Sequence, residues 1–202
     1  MESVSTVTVM EKPSIKKVGR YFLLLAAIFM LSCVIGFYHA AANPELAKEK
    51  IESFFAGFKV IKQAHPLYIF LFIFLNNSLK ALAATAAGFF FGLFPLSFVF
   101  LNGYLVGLVV YVKGLEIGFD RVLLYLIPHG IIEIPAILLA SSYGLWLGNQ
   151  FYLKLFKDGN IPMGQLFMEA VKKCLKIVFP MLLIAAAIET FITPLVASYF
   201  AV

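Results

Sequence analysis

His129 and Glu133 stand four residues apart in the run LIPHGIIEIPAILLA, so one helical turn would set an imidazole and a carboxylate on the same face. Such a pair can pass a proton, hold a hydrogen-bond network or supply two ligands to a cation. The surrounding run is among the most apolar in the chain. An ionisable group at bilayer depth costs at least about 2.5 kcal/mol unless it is paired or meets water, so the pair is a functional candidate by position alone. As a metal centre it lacks an identified third ligand. No metal and no cofactor is assigned to it.

Two more charges fall within apolar runs, Glu189 and Lys80, together with the amides Asn76, Asn77 and Asn102. If Lys80 pairs with one carboxylate, the other must be protonated, bonded to His129 or an asparagine, open to water, or bound to a cation. The same residues can also do no more than fasten helices together, through hydrogen bonds worth about 1 kcal/mol each in a membrane.

Enzymatic chemistry finds no support. The sequence holds no GxSxG, HExxH, P-loop or GxGxxG motif, and Ser141 and Ser142 lie about three turns from His129, too far for it to activate them. Cys33 and Cys174 occupy separate segments without metal-ligand spacing and read as small apolar fillers. The net charge of +5 has no base-stacking aromatics interleaved with it. It is read as Lys and Arg meeting anionic headgroups, and nucleic acid is not an expected partner.

The elements that position these residues follow from composition. Hydrophobic residues make up 62% of the 202 residues and charged ones 13%, against about 45–50% and 25% in a soluble domain. That much apolar surface requires a bilayer. We expect an all-α polytopic helix bundle in the cell membrane, with a cytoplasmic N-terminal tail at residues 1–20 and one transmembrane domain over 21–202. A window matched to a hydrocarbon core of about 30 Å predicts five spans, near 21–42, 66–92, 96–113, 120–149 and 177–200. Two amphipathic helices, about 44–65 and 162–176, are expected along the interface. The first carries Leu46, Ile51, Phe54, Phe55, Phe58 and Ile61 at helical spacing, and the second follows a break at Asp158-Gly159-Asn160. A turn is expected around 93–95. The second span is either continuous or broken near Asn77. Pro128 and Pro135 predict a kink, or a new helix, within the fourth. More Lys and Arg gather on the side of the N-terminus, which favours a cytoplasmic N-terminus and an external C-terminus.

Helical phase then groups the polar residues with small ones. His129, Glu133, Ala136, Ala140, Gly144 and Gly148 form one stripe on the fourth span, which directs Glu133 into a bundle rather than toward lipid. Asn76, Lys80, Ala84 and Ala87 align on the second span, and Ala185, Glu189, Thr193 and Ala197 on the fifth. Asn102 neighbours Gly103 and Gly107, a small-xxx-small pair suited to close packing on the third.

The runs LNNSLKALAATAAGFFFGLFPLSFVFLNGYLVG and LIPHGIIEIPAILLASSYGLWLG resemble the stage II sporulation protein M family of multi-spanning membrane proteins, the PHGxxExPA piece at Pro128–Ala136 being the most specific part. The resemblance implies an all-helical membrane protein. In endospore formers it implies a role in engulfment, holding peptidoglycan-degrading partners at the septum. From it we expect a non-enzymatic membrane scaffold, forming homo-oligomers and recruiting a membrane or extracytoplasmic protein. The alternative is a transporter or channel for a small solute or ion, using the intramembrane His/Glu site.

Overall fold

The computed structural model describes residues 15–57, 61, 64–157 and 161–199. The Asp158-Gly159-Asn160 break, Phe58, and all but the last few residues of the expected N-terminal tail lie outside them. The chain is helical throughout and, among the described residues, without strands: α1 (Ile15–Ala42), α2 (Pro44–Ala56), α3 (Pro66–Ala86), α4 (Leu93–Ile117), α5 (Phe119–Phe156), α6 (Met163–Lys173), α7 (Phe179–Ala187) and α8 (Thr193–Tyr199). Helices α6, α7 and α8 join end to end through two π turns, Cys174–Val178 and Ile188–Ile192. Five helical runs are long and apolar enough to cross a membrane: Lys16–Ala42, Pro66–Phe89, Leu93–Ile117, Phe119–Phe156 and Met163–Val196.

Local chemistry explains the joints. Gly92 (φ 75°) follows Phe91 (φ 53°) at the turn into α4, where only glycine takes a left-handed backbone without penalty. Pro95 then falls in the first turn of α4, where its missing N–H breaks no helical bond. The turn therefore precedes the 93–95 position read from sequence. Gly118 (φ 98°) separates α4 from α5. The second span is continuous through Asn77. Helix α5 runs unbroken for 38 residues with Pro128 and Pro135 inside it. At about 1.5 Å per residue it is about 57 Å long and exceeds the slab, so it tilts or projects beyond it.

The fifth span departs most from its sequence reading. The segment 162–176, taken as an interfacial helix, continues into the following span without interruption, and its face of Leu166, Ala170 and Cys174 is buried. Each π turn ends two residues before a proline, Pro180 and Pro194. A proline ring collides with the carbonyl four residues back, here that of Lys176 or Thr190. Widening the turn to an i→i+5 pattern relieves that collision, and Phe179 and Thr193 indeed donate to Cys174 and Ile188.

Packing follows small residues. Helix α1 lies along α4 with Gly36 against the Tyr104 carbonyl, Gly103 against Ser32 and Phe29, and Gly107 against the Cys33 carbonyl. Helix α5 is the hub, touching α1, α3, α4 and α7. Its Trp146 and Leu147 are fully buried against a core that includes Leu166, Cys174, Val178 and Leu182. Leu71, Leu75 and Leu79 are exposed along one edge of α3, as a lipid-facing row should be. Helix α2 sits on the end of α4, with Ala47 and Ile51 packed on Leu108 and Val112, while its Leu46 and Phe54 stay exposed.

Candidate functional site

Helices α3 and α5 run parallel in fixed register. Asn77 meets Glu133, Thr85 meets Ala140, Gly88 meets Gly144 and Gly92 meets Gly148. Along the second half of this seam the contacts at Gly88, Gly144 and Gly148 are mostly with backbone, and Leu145 covers Gly92. A Cβ on Gly88 would collide with the Gly144 carbonyl, and one on Gly144 with the Ala84 carbonyl. Ala136, Ala140, Gly144 and Gly148 are all buried. The Thr85 hydroxyl donates to its own Ala81 carbonyl at 3.1 Å or across the seam to that of Ala140 at 3.0 Å.

One to two turns toward the start of both helices the seam becomes polar. The Asn77 amide donates to Glu133 Oε1 at 2.9 Å, and the Asn76 amide donates to Asn77 Oδ1 at 3.1 Å. Glu133 thus faces α3, as its stripe requires, and not lipid. The π turn Ile188–Ile192 delivers Glu189 to the same place. His129, Glu133 and Glu189 each present one ligand atom, all within 4.8 Å of one another, and all three residues are half-buried. The third ligand that the sequence could not identify comes from the fifth span.

Depth supports an intramembrane position. At about 1.5 Å per residue, Glu133 lies about 21 Å along α5, Asn77 about 16 Å along α3 and Glu189 about 15 Å before the end of α8. The cluster therefore lies well inside three apolar helices and not at their ends. Two carboxylates share this space. Among the described residues Lys80 forms no ion pair with either, and it is exposed on α3. Among the described residues, the enclosed His129 Nδ1 and the enclosed hydroxyl of Thr190 beside Glu189 have no hydrogen-bond partner. Pro194 has no N–H to offer, so one backbone carbonyl in the turn bearing Glu189 also lacks its helical donor.

The remaining expectations sort clearly. The inward face of α3 is Asn77, Ala81, Ala84, Thr85 and Gly88, one position round from the stripe through Asn76 and Lys80. Asn102 donates to the Phe98 carbonyl of its own helix at 2.7 Å, so its amide satisfies a backbone group of α4 and does not reach toward the carboxylates. Gly103 and Gly107 serve the α1–α4 contact. On the fifth span the π turn re-phases the stripe beyond Glu189, and the Thr193 hydroxyl turns back to the Ile188 carbonyl at 3.3 Å. The Ala197 side chain lies outside the described residues. Thr85 and Thr190 escaped notice in the sequence; a lone hydroxyl in the run AATAAG was the signal for the first.

No solved structure matches the chain. Two uncharacterized proteins of Methanocaldococcus jannaschii are similar to it. MJ0706 is 26% identical over 133 residues, covering 62% of this chain and 58% of the relative, and MJ0793 is 32% identical over 127 residues, covering 62% and 71%. The chain therefore spans little more than half the length of the first. Residues 25–194, reaching into all five spans, match stage II sporulation protein M. With that match added to its five apolar helices, the chain is a multi-pass membrane protein belonging to the stage II sporulation protein M family.

Proposed function

We propose that this protein moves a small cation or proton across the membrane by way of His129, Glu133 and Glu189. One observation supports the reading: three ionisable side chains from two apolar spans converge without a bound counter-charge among the described residues. A group of helix fasteners would be fully bonded, because an unmade hydrogen bond at that depth costs stability. Here two carboxyl groups lie side by side with an imidazole whose Nδ1, among the described residues, is enclosed without a partner. Glu189 is carried on a π turn ahead of Pro194, and π turns within helices recur at functional sites. The Lys and Arg bias favours a cytoplasmic N-terminus for the transporting unit.

The scaffold remains as a second reading. It is favoured by the glycine contacts of α1 with α4 and of α3 with α5, which make a rigid body on which partners or further copies of the chain could assemble. Reconstitution separates the two. Proteoliposomes are loaded with dyes for H⁺, Na⁺, K⁺, Mg²⁺, Mn²⁺ and Zn²⁺ and driven by an imposed gradient. Transport is expected to give flux of at least one, abolished in Glu133→Gln and Glu189→Gln protein that still elutes as a single species. Wild-type vesicles silent toward the whole panel would sink the transport reading in favour of the scaffold.

A further inference from the structure

We infer that the His129, Glu133 and Glu189 cluster is a binding site for one divalent transition-metal cation of the Mn²⁺, Fe²⁺, Co²⁺ or Zn²⁺ class. The inference deepens the transport reading and names its ion.

Geometry comes first. Ligands at about 2.0–2.2 Å from one ion in a tetrahedral arrangement lie about 3.3–3.6 Å apart. The three donor atoms are already within 4.8 Å of each other. A closure of about 1 Å, within the reach of side-chain torsions, gathers them around an ion. Two of the donors are one turn apart on α5, while the third comes from the π turn after α7, so the site ties two spans together.

The donor set then selects the ion. Calcium and magnesium take oxygen ligands alone, six or more of them, and sodium and potassium have no use for an imidazole. Copper(I) prefers sulfur, and neither Cys33 nor Cys174 belongs to the cluster. One imidazole with two carboxylates suits the borderline divalent ions. A dication also neutralises the two carboxylates, which no ion-paired lysine or arginine does among the described residues.

Two independent features point to a ligand. His129 Nδ1 is enclosed without a partner, so the ring is not oriented by any hydrogen bond from that nitrogen. The amide of Asn77, itself held by Asn76, fixes Glu133 through Oε1 alone. This is the outer-shell support that metal-ligating carboxylates receive, and it leaves the second oxygen open.

The test uses purified full-length protein in nanodiscs, stripped with EDTA and titrated separately with Mn²⁺, Co²⁺, Zn²⁺, Mg²⁺ and Ca²⁺. One equivalent of a transition ion is expected to bind saturably and raise the thermal midpoint, with Mg²⁺ and Ca²⁺ at least tenfold weaker. Glu133→Gln, Glu189→Gln and His129→Gln should each remove that binding, and Asn77→Ala should weaken it by about 10–100-fold. Lys80→Met should keep it. If a variant fails to fold, X-ray absorption of Co²⁺ on the wild-type protein decides: nitrogen and oxygen neighbours support the site, and sulfur neighbours overturn it. Absence of saturable binding, or equal binding of Mg²⁺, overturns it too. Binding without flux keeps the metal site and sinks transport. Proton flux without metal binding sinks the metal site and keeps transport.

Discussion

Helices α3 and α5 touch along one parallel seam whose two halves behave in opposite ways. From Ala84 and Thr85 to Gly92, facing Ala140 to Gly148, side chains are absent or small, every contact is close, and the added hydroxyl finds a carbonyl. Around Asn77 and Glu133 the same register brings together an amide and a carboxylate, and the fifth span adds a second carboxylate. Lipid is as apolar as leucine, so close van der Waals contact is what holds the first half together. That contact gives a fixed frame, and only a fixed frame can hold like charges in proximity. The seam's Ala/Gly half supplies stability, and its polar half uses some of it for a site.

The sharpest way to break this contrast is Gly144→Leu. Even a Cβ at this position meets the Ala84 carbonyl, a backbone atom that cannot swing aside. Overpacking usually costs about 1–3 kcal/mol. Here the helices must separate along the whole half-seam, so the expected outcome is loss of the monodisperse species in size-exclusion chromatography. A Gly144→Leu protein that elutes and melts like wild type would show that the seam is not what holds α3 to α5.

Glu133→Gln should move stability the other way. Removing one of two neighbouring like charges while keeping an amide that Asn77 can still meet eliminates a repulsion and a buried charge without leaving a cavity. In metal-free protein the thermal midpoint is expected to rise by a few degrees, equivalent to about 1 kcal/mol, although flux is lost. A fall of that size in differential scanning fluorimetry would mean that the carboxylate fastens the bundle, and the contrast between the two halves would vanish.

The frame was far more legible in the sequence than the site. Runs of Phe, Leu and Ile set off by charge give five spans directly, and the 136–148 stripe of alanine and glycine marks the packing face of α5. The phase of α3 was not legible, because Asn76 and Asn77 are equally polar and only the neighbouring helix decides which of them turns inward. Pro128 and Pro135 flagged a kink or a new helix in α5; no new helix starts there, and α5 runs on through both prolines. Pro180 and Pro194 were as visible, yet their consequence, a wider turn rather than a kink, is invisible to a 3.6-residue period. That wider turn is what carries Glu189 toward His129. The meeting of residues 60 positions apart in sequence depends on tertiary packing, which periodicity does not encode.

Lys80→Met is the finest test. Lys80 lies on the exposed side of α3, beside the lipid-facing row of Leu75 and Leu79, and forms no ion pair with Glu133 or Glu189 among the described residues. Its stem can lie along the helix with the ammonium carried toward water. Replacing it by an apolar chain of similar length should change stability by no more than about 0.5 kcal/mol, as for other surface positions without a named contact. It stands one helical turn from Asn77, the partner of Glu133. Removing a positive charge from the neighbourhood of a cation site should therefore tighten metal binding by a few-fold, measured as a lower dissociation constant for Mn²⁺. Weaker binding joined to a lower thermal midpoint would instead make Lys80 the partner of a carboxylate. The polar half of the seam would then be a closed ion-paired network like any other helix contact, and nothing would distinguish it from the half built of glycine.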